Sequence, residues 1–136
     1  MVIVGLPQRI SFITLGARDM STLRAFYRAV GWVERPGSDD NFAAFDVGTM
    51  RLTLFPLTPR RDEAAPGEAT PAAGWNGVTF GVNVETPRAV DEAYRLALAA
   101  GARAIAEPVK REWGGYSGYV GDPEGNRWEL AWAPDL

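Results

Sequence analysis

The sequence predicts an α+β fold in which two βαβββ modules form a curved, cup-shaped mixed sheet with helices outside. Two helical stripes carry the prediction first. Leu23, Phe26, Tyr27 and Val30 fall on one helix face, and Val90, Ala93, Tyr94, Ala97 and Leu98 fall on another. Each stripe follows a strand-like run and ends at a glycine, Gly31 or Gly101. The halves also match each other. Sliding one along the other lays Phe12 on Thr79, and a longer slide lays Arg51-Leu52-Thr53-Leu54 on Arg127-Trp128-Glu129-Leu130. An internal repeat of this kind marks a duplicated unit. Each unit alone exposes one sheet face, and two together can enclose a cavity. Finally, 136 residues with 46% apolar content suffice for one domain without covalent staples.

The elements follow in order. Arg9–Ala17 alternates as a strand with apolar groups on both faces, Phe12 and Thr14 sharing one of them. Asp19 or Ser21 caps the first helix by accepting from free N–H groups of its first turn. Trp32–Arg35 reads as a short strand, and Phe42–Val47 with Met50–Phe55 reads as a hairpin split by Gly48-Thr49. Leu57–Asn76 is rich in Pro, Gly, Ala and charge without an apolar period, so it reads as a loop or linker. It is long for a compact domain, where loops beyond roughly 12–15 residues are uncommon. Val78–Val84 is a strand, and Thr86-Pro87 supplies an N-cap with proline at the first helical position. Ala102–Pro108 is a strand and Val109–Gly115 a loop. Tyr116–Trp132 closes the chain as a hairpin around Asp122-Pro123-Glu124-Gly125, whose residues suit a type I turn. The modules thus span about residues 8–56 and 77–134, joined by a linker at about 57–76, within a single domain over 1–136.

Composition removes several function classes. Net charge is −3 with no run of Lys or Arg, which predicts no nucleic-acid partner. The chain has no cysteine, which excludes disulfides, thiolate chemistry and Cys-ligated metal sites. It has no histidine, the commonest general base and transition-metal ligand. No apolar run is long enough to cross a bilayer, and Met1–Pro7 is too short for a signal peptide, so the expected location is cytoplasmic and no membrane partner is expected.

Phe12-Ile13-Thr14-Leu15 before Arg18-Asp19, Phe26-Tyr27 before Gly31-Trp32, and Asp122-Pro123-Glu124-Gly125 before Trp128-Glu129-Leu130 together carry a resemblance. The chain resembles the vicinal oxygen chelate superfamily, which includes glyoxalases, bleomycin-resistance proteins and extradiol dioxygenases. The likeness covers about residues 8–133 apart from the linker. It implies a homodimer and a cup whose metal is held by four inward residues, commonly His, Glu or Gln, His and Glu. Those positions fall here on Phe12, Thr53, Thr79 and Glu129. Phenylalanine offers no donor and threonine hydroxyls are poor ligands. The expectation is therefore a metal-free cup with no cofactor.

Glu129 stands on a strand opposite the Trp128, Leu130 and Trp132 face. Three roles stay open for it: neutralisation by Arg127 on the same face, contact with a ligand, and acid–base catalysis. Phe12, Thr14, Thr53, Phe55, Thr79, Trp113, Tyr116, Tyr119, Arg127 and Glu129 are the candidate ligand-binding residues, the aromatics for stacking on a planar molecule. Trp128 and Trp132 are expected under the helices, and Arg60-Arg61 and Lys110-Arg111 as solvated charge. The leading reading is a small-molecule-binding protein whose ligand is aromatic or cationic. The alternatives are a metal-independent isomerase or lyase with Glu129 as base and Tyr116 or Tyr119 as donor, and a non-catalytic regulatory module.

Overall fold

The computed structural model describes residues 5–72 and 74–135. Module 1 runs β1 (Phe12–Ala17), α1 (Met20–Ala29), β2 (Ala43–Val47) and β3 (Met50–Pro56). A short helix, α2 (Leu57–Ala64), follows, and module 2 runs β4 (Thr79–Asn83), α3 (Pro87–Ala99), β5 (Arg103–Lys110), β6 (Tyr116–Gly121) and β7 (Arg127–Trp132). The strands form two mixed sheets in the orders β1-β3-β2 and β4-β7-β6-β5. The repeat is visible in the register. β1 lies parallel to β3 from the pair Phe12 and Arg51, and β4 lies parallel to β7 from the pair Thr79 and Arg127. These are the residues that the two sequence slides superpose.

Both long helices start and stop as their sequences dictate. Asp19 accepts from the Thr22 N–H at the start of α1, and Thr86 accepts from the Ala89 N–H at the start of α3, with Pro87 just inside. Gly31 and Gly101 follow with φ of 100° and 112°, a left-handed backbone that other residues reach only with strain. The inward stripe of α1 packs with Leu15, Phe45, Leu52 and Leu54 into one core, and Val90, Tyr94 and Ala97 of α3 pack with Val120 and Leu130 into a second. Trp128 packs against both, beside Tyr27, Trp32 and Phe80.

Two expectations need correction. Trp32–Arg35 forms no strand, only an isolated bridge between Glu34 and Phe45, because Arg24 and Arg28 draw the Glu34 carboxylate toward α1. Leu57–Asn76 is not wholly irregular, since its first eight residues form α2. That helix has no apolar stripe to betray it; it rests on Leu57, whose side chain fills the space left by Gly16 of β1. The strands form two sheets, and among the described residues β1 and β4 are each hydrogen-bonded on one side. Among the described residues, no helix is long and apolar enough to cross a membrane.

Candidate functional site

Side chains alternate across a strand, so each sheet has a face turned away from its helix. On sheet 1 the paired positions Ile13 and Leu52, and Leu15 and Leu54, serve the core. Phe12, Thr14, Thr53 and Phe55 therefore share the opposite face. Phe12, Thr14 and Thr53 line a hollow of about 570 Å³ with Ser11, Phe42, Arg51 and Arg60 among its walls, and Phe55 stands behind Phe42 and Arg60. That volume is in the range of small-molecule sites.

At its floor, Thr14 and Thr53 stand directly across from each other and their hydroxyls share a hydrogen bond of 2.6 Å. Thr53 also reaches the Ile13 carbonyl at 3.3 Å and is buried. Thr53 thus donates to the carbonyl and accepts from Thr14, and the pair remains two neutral hydroxyls, poor ligands for a divalent ion. Around them the walls are aromatic. Phe42 and Phe55 meet edge to face at 6.3 Å, the Arg60 guanidinium lies 4.5 Å from the Phe55 ring centre, and Phe12 is 61% exposed at the mouth. The Arg60 Nε is buried without a hydrogen-bond partner among the described residues.

On sheet 2 the corresponding face carries Thr79, Arg127, Glu129 and Tyr119. Glu129 stands between Gly81 on β4 and Tyr119 on β6. Burial raises the Tyr119 pKa above its usual 10.0, and the neighbouring Glu129 carboxylate raises it further. Arg111, 5.5 Å from that ring centre, opposes the shift while donating to the Ser117 hydroxyl and carbonyl at 2.9 Å. Arg127 turns instead to the Gly125 carbonyl at 2.8 Å, and no ion pair joins it to Glu129 among the described residues.

The ten candidates therefore separate. Phe12, Thr14 and Thr53 gather in the hollow with Phe55 behind its Phe42 and Arg60 walls; Thr79, Tyr119, Arg127 and Glu129 gather on the other sheet. Neither Glu129 nor Tyr119 is among the hollow's walls. Tyr116 is not with them, because its parity turns it to α3, where it donates to Asp91 at 2.7 Å. Trp113 lies over Gly115, where any side chain would collide with its ring. Two cationic residues read as solvated, Arg60 and Arg111, are instead packed on aromatic faces. Phe42 was also missed; its only sequence signal was an aromatic residue at the start of a strand.

Of the four positions that the resemblance marks for a metal, Glu129 alone carries a carboxylate, and it does not share the hollow with Thr53. No group of three or more His, Cys, Asp or Glu side chains gathers among the described residues. The donor set does not fit a divalent ion.

The fold and its two faces define a class: duplicated βαβββ proteins that present a ligand-sized concave surface. The family profile for the Glyoxalase/Bleomycin resistance protein/Dioxygenase superfamily matches residues 9–130, and the chain belongs to that superfamily. Among solved structures, a glyoxalase-related enzyme from Fulvimarina pelagi is 23% identical with a TM-score of 0.81, over 93% of this chain and 89% of that one. A glyoxalase/bleomycin resistance protein/dioxygenase family enzyme from Burkholderia phytofirmans PsJN is 24% identical with a TM-score of 0.80, over 90% and 97%. A lactoylglutathione lyase from Agrobacterium tumefaciens is 27% identical with a TM-score of 0.68, over 93% and 94%. No curated protein sequence matches the chain significantly.

Proposed function

We propose that this protein binds a small aromatic molecule without a metal ion, in a cup built from the sheet 1 hollow and the Glu129 face of sheet 2. The observation that carries the reading is the neutral Thr14–Thr53 hydroxyl pair at the floor of the hollow, beneath aromatic walls. A stacked planar ring suits Phe12, Phe42 and Phe55. Arg60 beside them disfavours a cation in this half, so the cationic option rests on Glu129 alone. Because Glu129 and Tyr119 do not line the sheet 1 hollow of the same chain, a second copy completes the cup. The one-sided strands β1 and β4 supply the edges on which copies can meet.

The second reading is a metal-independent isomerase or lyase, favoured by the Tyr119–Glu129 juxtaposition. Glu129 would take a proton, and Tyr119, kept protonated, would donate to the oxygen that gains charge. Tyr116, committed to Asp91, has no part in it.

A native mass spectrum of the protein as purified, without added metal, tests the proposal. A dimer is expected, either carrying an organic adduct or free of adduct and quenched in tryptophan fluorescence by planar aromatic acids. One divalent ion per subunit would overturn the metal-free reading. Glu129→Gln then divides binding from catalysis. Under sequestration it changes affinity alone, whereas loss of turnover by about 100-fold or more would move the protein to the enzyme class.

A further inference from the structure

Away from the hollow, at the turn between β6 and β7, lies a pocket of about 510 Å³ whose walls include Arg18, Arg103, Glu124, Gly125 and Arg127. Three guanidiniums converge there from three elements. Each is pinned by a neutral group: Arg18 donates to the Pro71 carbonyl at 2.8 Å, Arg103 to the Pro123 carbonyl at 2.9 Å and Arg127 to the Gly125 carbonyl at 2.8 Å. The Nη1 atoms of Arg103 and Arg127 come within 3.6 and 4.0 Å of the point where a Cβ on Gly125 would stand. Carbonyls fix orientation without cancelling charge. A guanidinium has five N–H donors, so most of the donors remain for something else.

The local carboxylate does not offset the cluster. One oxygen of Glu124 accepts from the Asp19 N–H at 2.9 Å, and the other lies 3.7 Å from Arg18. Neither Arg103 nor Arg127 has a carboxylate within 4.0 Å among the described residues. Three positive groups and one negative group thus share a pocket on a chain whose net charge is −3. Like charges held together repel unless an anion joins them, and planar guanidinium forks match tetrahedral oxyanions.

We propose that this pocket binds the phosphate group of a small-molecule phosphate monoester. A monoester carries about −1.5 to −2 charge at pH 7, which offsets the excess of positive groups where a single carboxylate would not. The pocket also has room for an organic remainder beyond the phosphate. Phe12, Thr53 and Glu129 do not line it, and although Arg127 also stands on the Glu129 face of sheet 2, Arg18 and Arg103 belong to this pocket and not to the proposed cup, so the test rests on them.

Isothermal titration of the full chain with methyl phosphate, inorganic phosphate and succinate at constant ionic strength tests it. Both phosphates should bind saturably, and succinate at least about tenfold more weakly. Arg103→Gln and Arg18→Gln should each weaken phosphate binding by about tenfold or more, and Arg103→Lys should restore it only in part, because a point charge lacks the fork. Arg88→Gln, at an exposed position of α3, should change nothing. If Arg18→Gln lowers the melting temperature by releasing Pro71, the exposed Arg103 carries the test alone. No saturable phosphate binding, binding that survives Arg103→Gln, or equal affinity for succinate overturns the proposal.

Discussion

Asp122 has no exposed surface, yet its oxygens have partners on several sides. The Tyr27 hydroxyl donates to it at 2.6 Å, the Asn126 amide at 2.9 Å, and the Glu124 and Asn126 backbone N–H groups at 2.9 Å. Trp128 donates in turn to the Tyr27 oxygen at 3.0 Å. The turn of module 2 is thereby fastened to the helix of module 1. Tyr27→Phe leaves a buried carboxylate one donor short and should lower stability by about 1.5–3 kcal/mol, read from the urea midpoint. The same residue predicts a pH effect. Burial first, then the Asp122 charge, holds the Tyr27 pKa well above its usual 10.0. The unfolded chain releases that proton at the usual value while the folded chain retains it. Stabilisation is complete below about pH 10 and is lost as pH rises beyond it. Between about pH 9 and pH 11 the wild-type midpoint should fall more steeply than that of Tyr27→Phe. Equal slopes would mean that Tyr27 titrates normally. In the sequence, Asp122 was legible as a turn residue and Glu129 as a strand carboxylate, because both follow from local spacing. The Tyr27 contact joins residues far apart in the chain and has no local signal. Tyr116 was legible in principle, since on a regular strand it cannot share a face with Tyr119, three residues on.

At the scale of elements, α1 and α3 were readable because each buries a stripe, and burial writes periodicity into sequence. α2 buries no residue fully, and its docking depends on something missing from another strand. A Cβ on Gly16 would lie 2.6 Å from Leu57 Cδ1. Alanine there needs only a rotation of a flexible side chain, whereas valine adds branches that the leucine cannot avoid. Gly16→Val suits a strand by propensity and should leave sheet 1 intact while lifting α2. Trypsin should then cut after Arg60 and Arg61 several times faster with little change in melting temperature, since opening is local. Arg60 leaves Phe55 with the helix, so tryptophan quenching by aromatic acids should weaken in step. Unchanged cleavage would show that Gly16 does not seat α2.

For the whole molecule, the repeat was the most legible feature because both modules solve one packing problem with the same pattern. What the sequence left open was how the two faces meet, since edge pairing between sheets depends on backbone positions more than on side-chain identity. Phe12 is where that question becomes measurable. It is 61% exposed on β1, an edge strand, and borders the hollow. A large apolar group so placed contributes little to the single chain, so Phe12→Lys should cost the isolated fold no more than about 0.5 kcal/mol. At an interface the same change sets a charge against apolar surface, and charge on an edge strand discourages pairing. Native mass spectrometry and light scattering should therefore find a wild-type dimer and a Phe12→Lys monomer, with aromatic binding lost and melting changed mainly through lost dimer linkage. Phosphate titration of that monomer should be unaltered, because Arg18, Arg103 and Arg127 come from one chain. A wild-type monomer, or a dimer indifferent to Phe12→Lys, would place the partner elsewhere and require each face to bind alone.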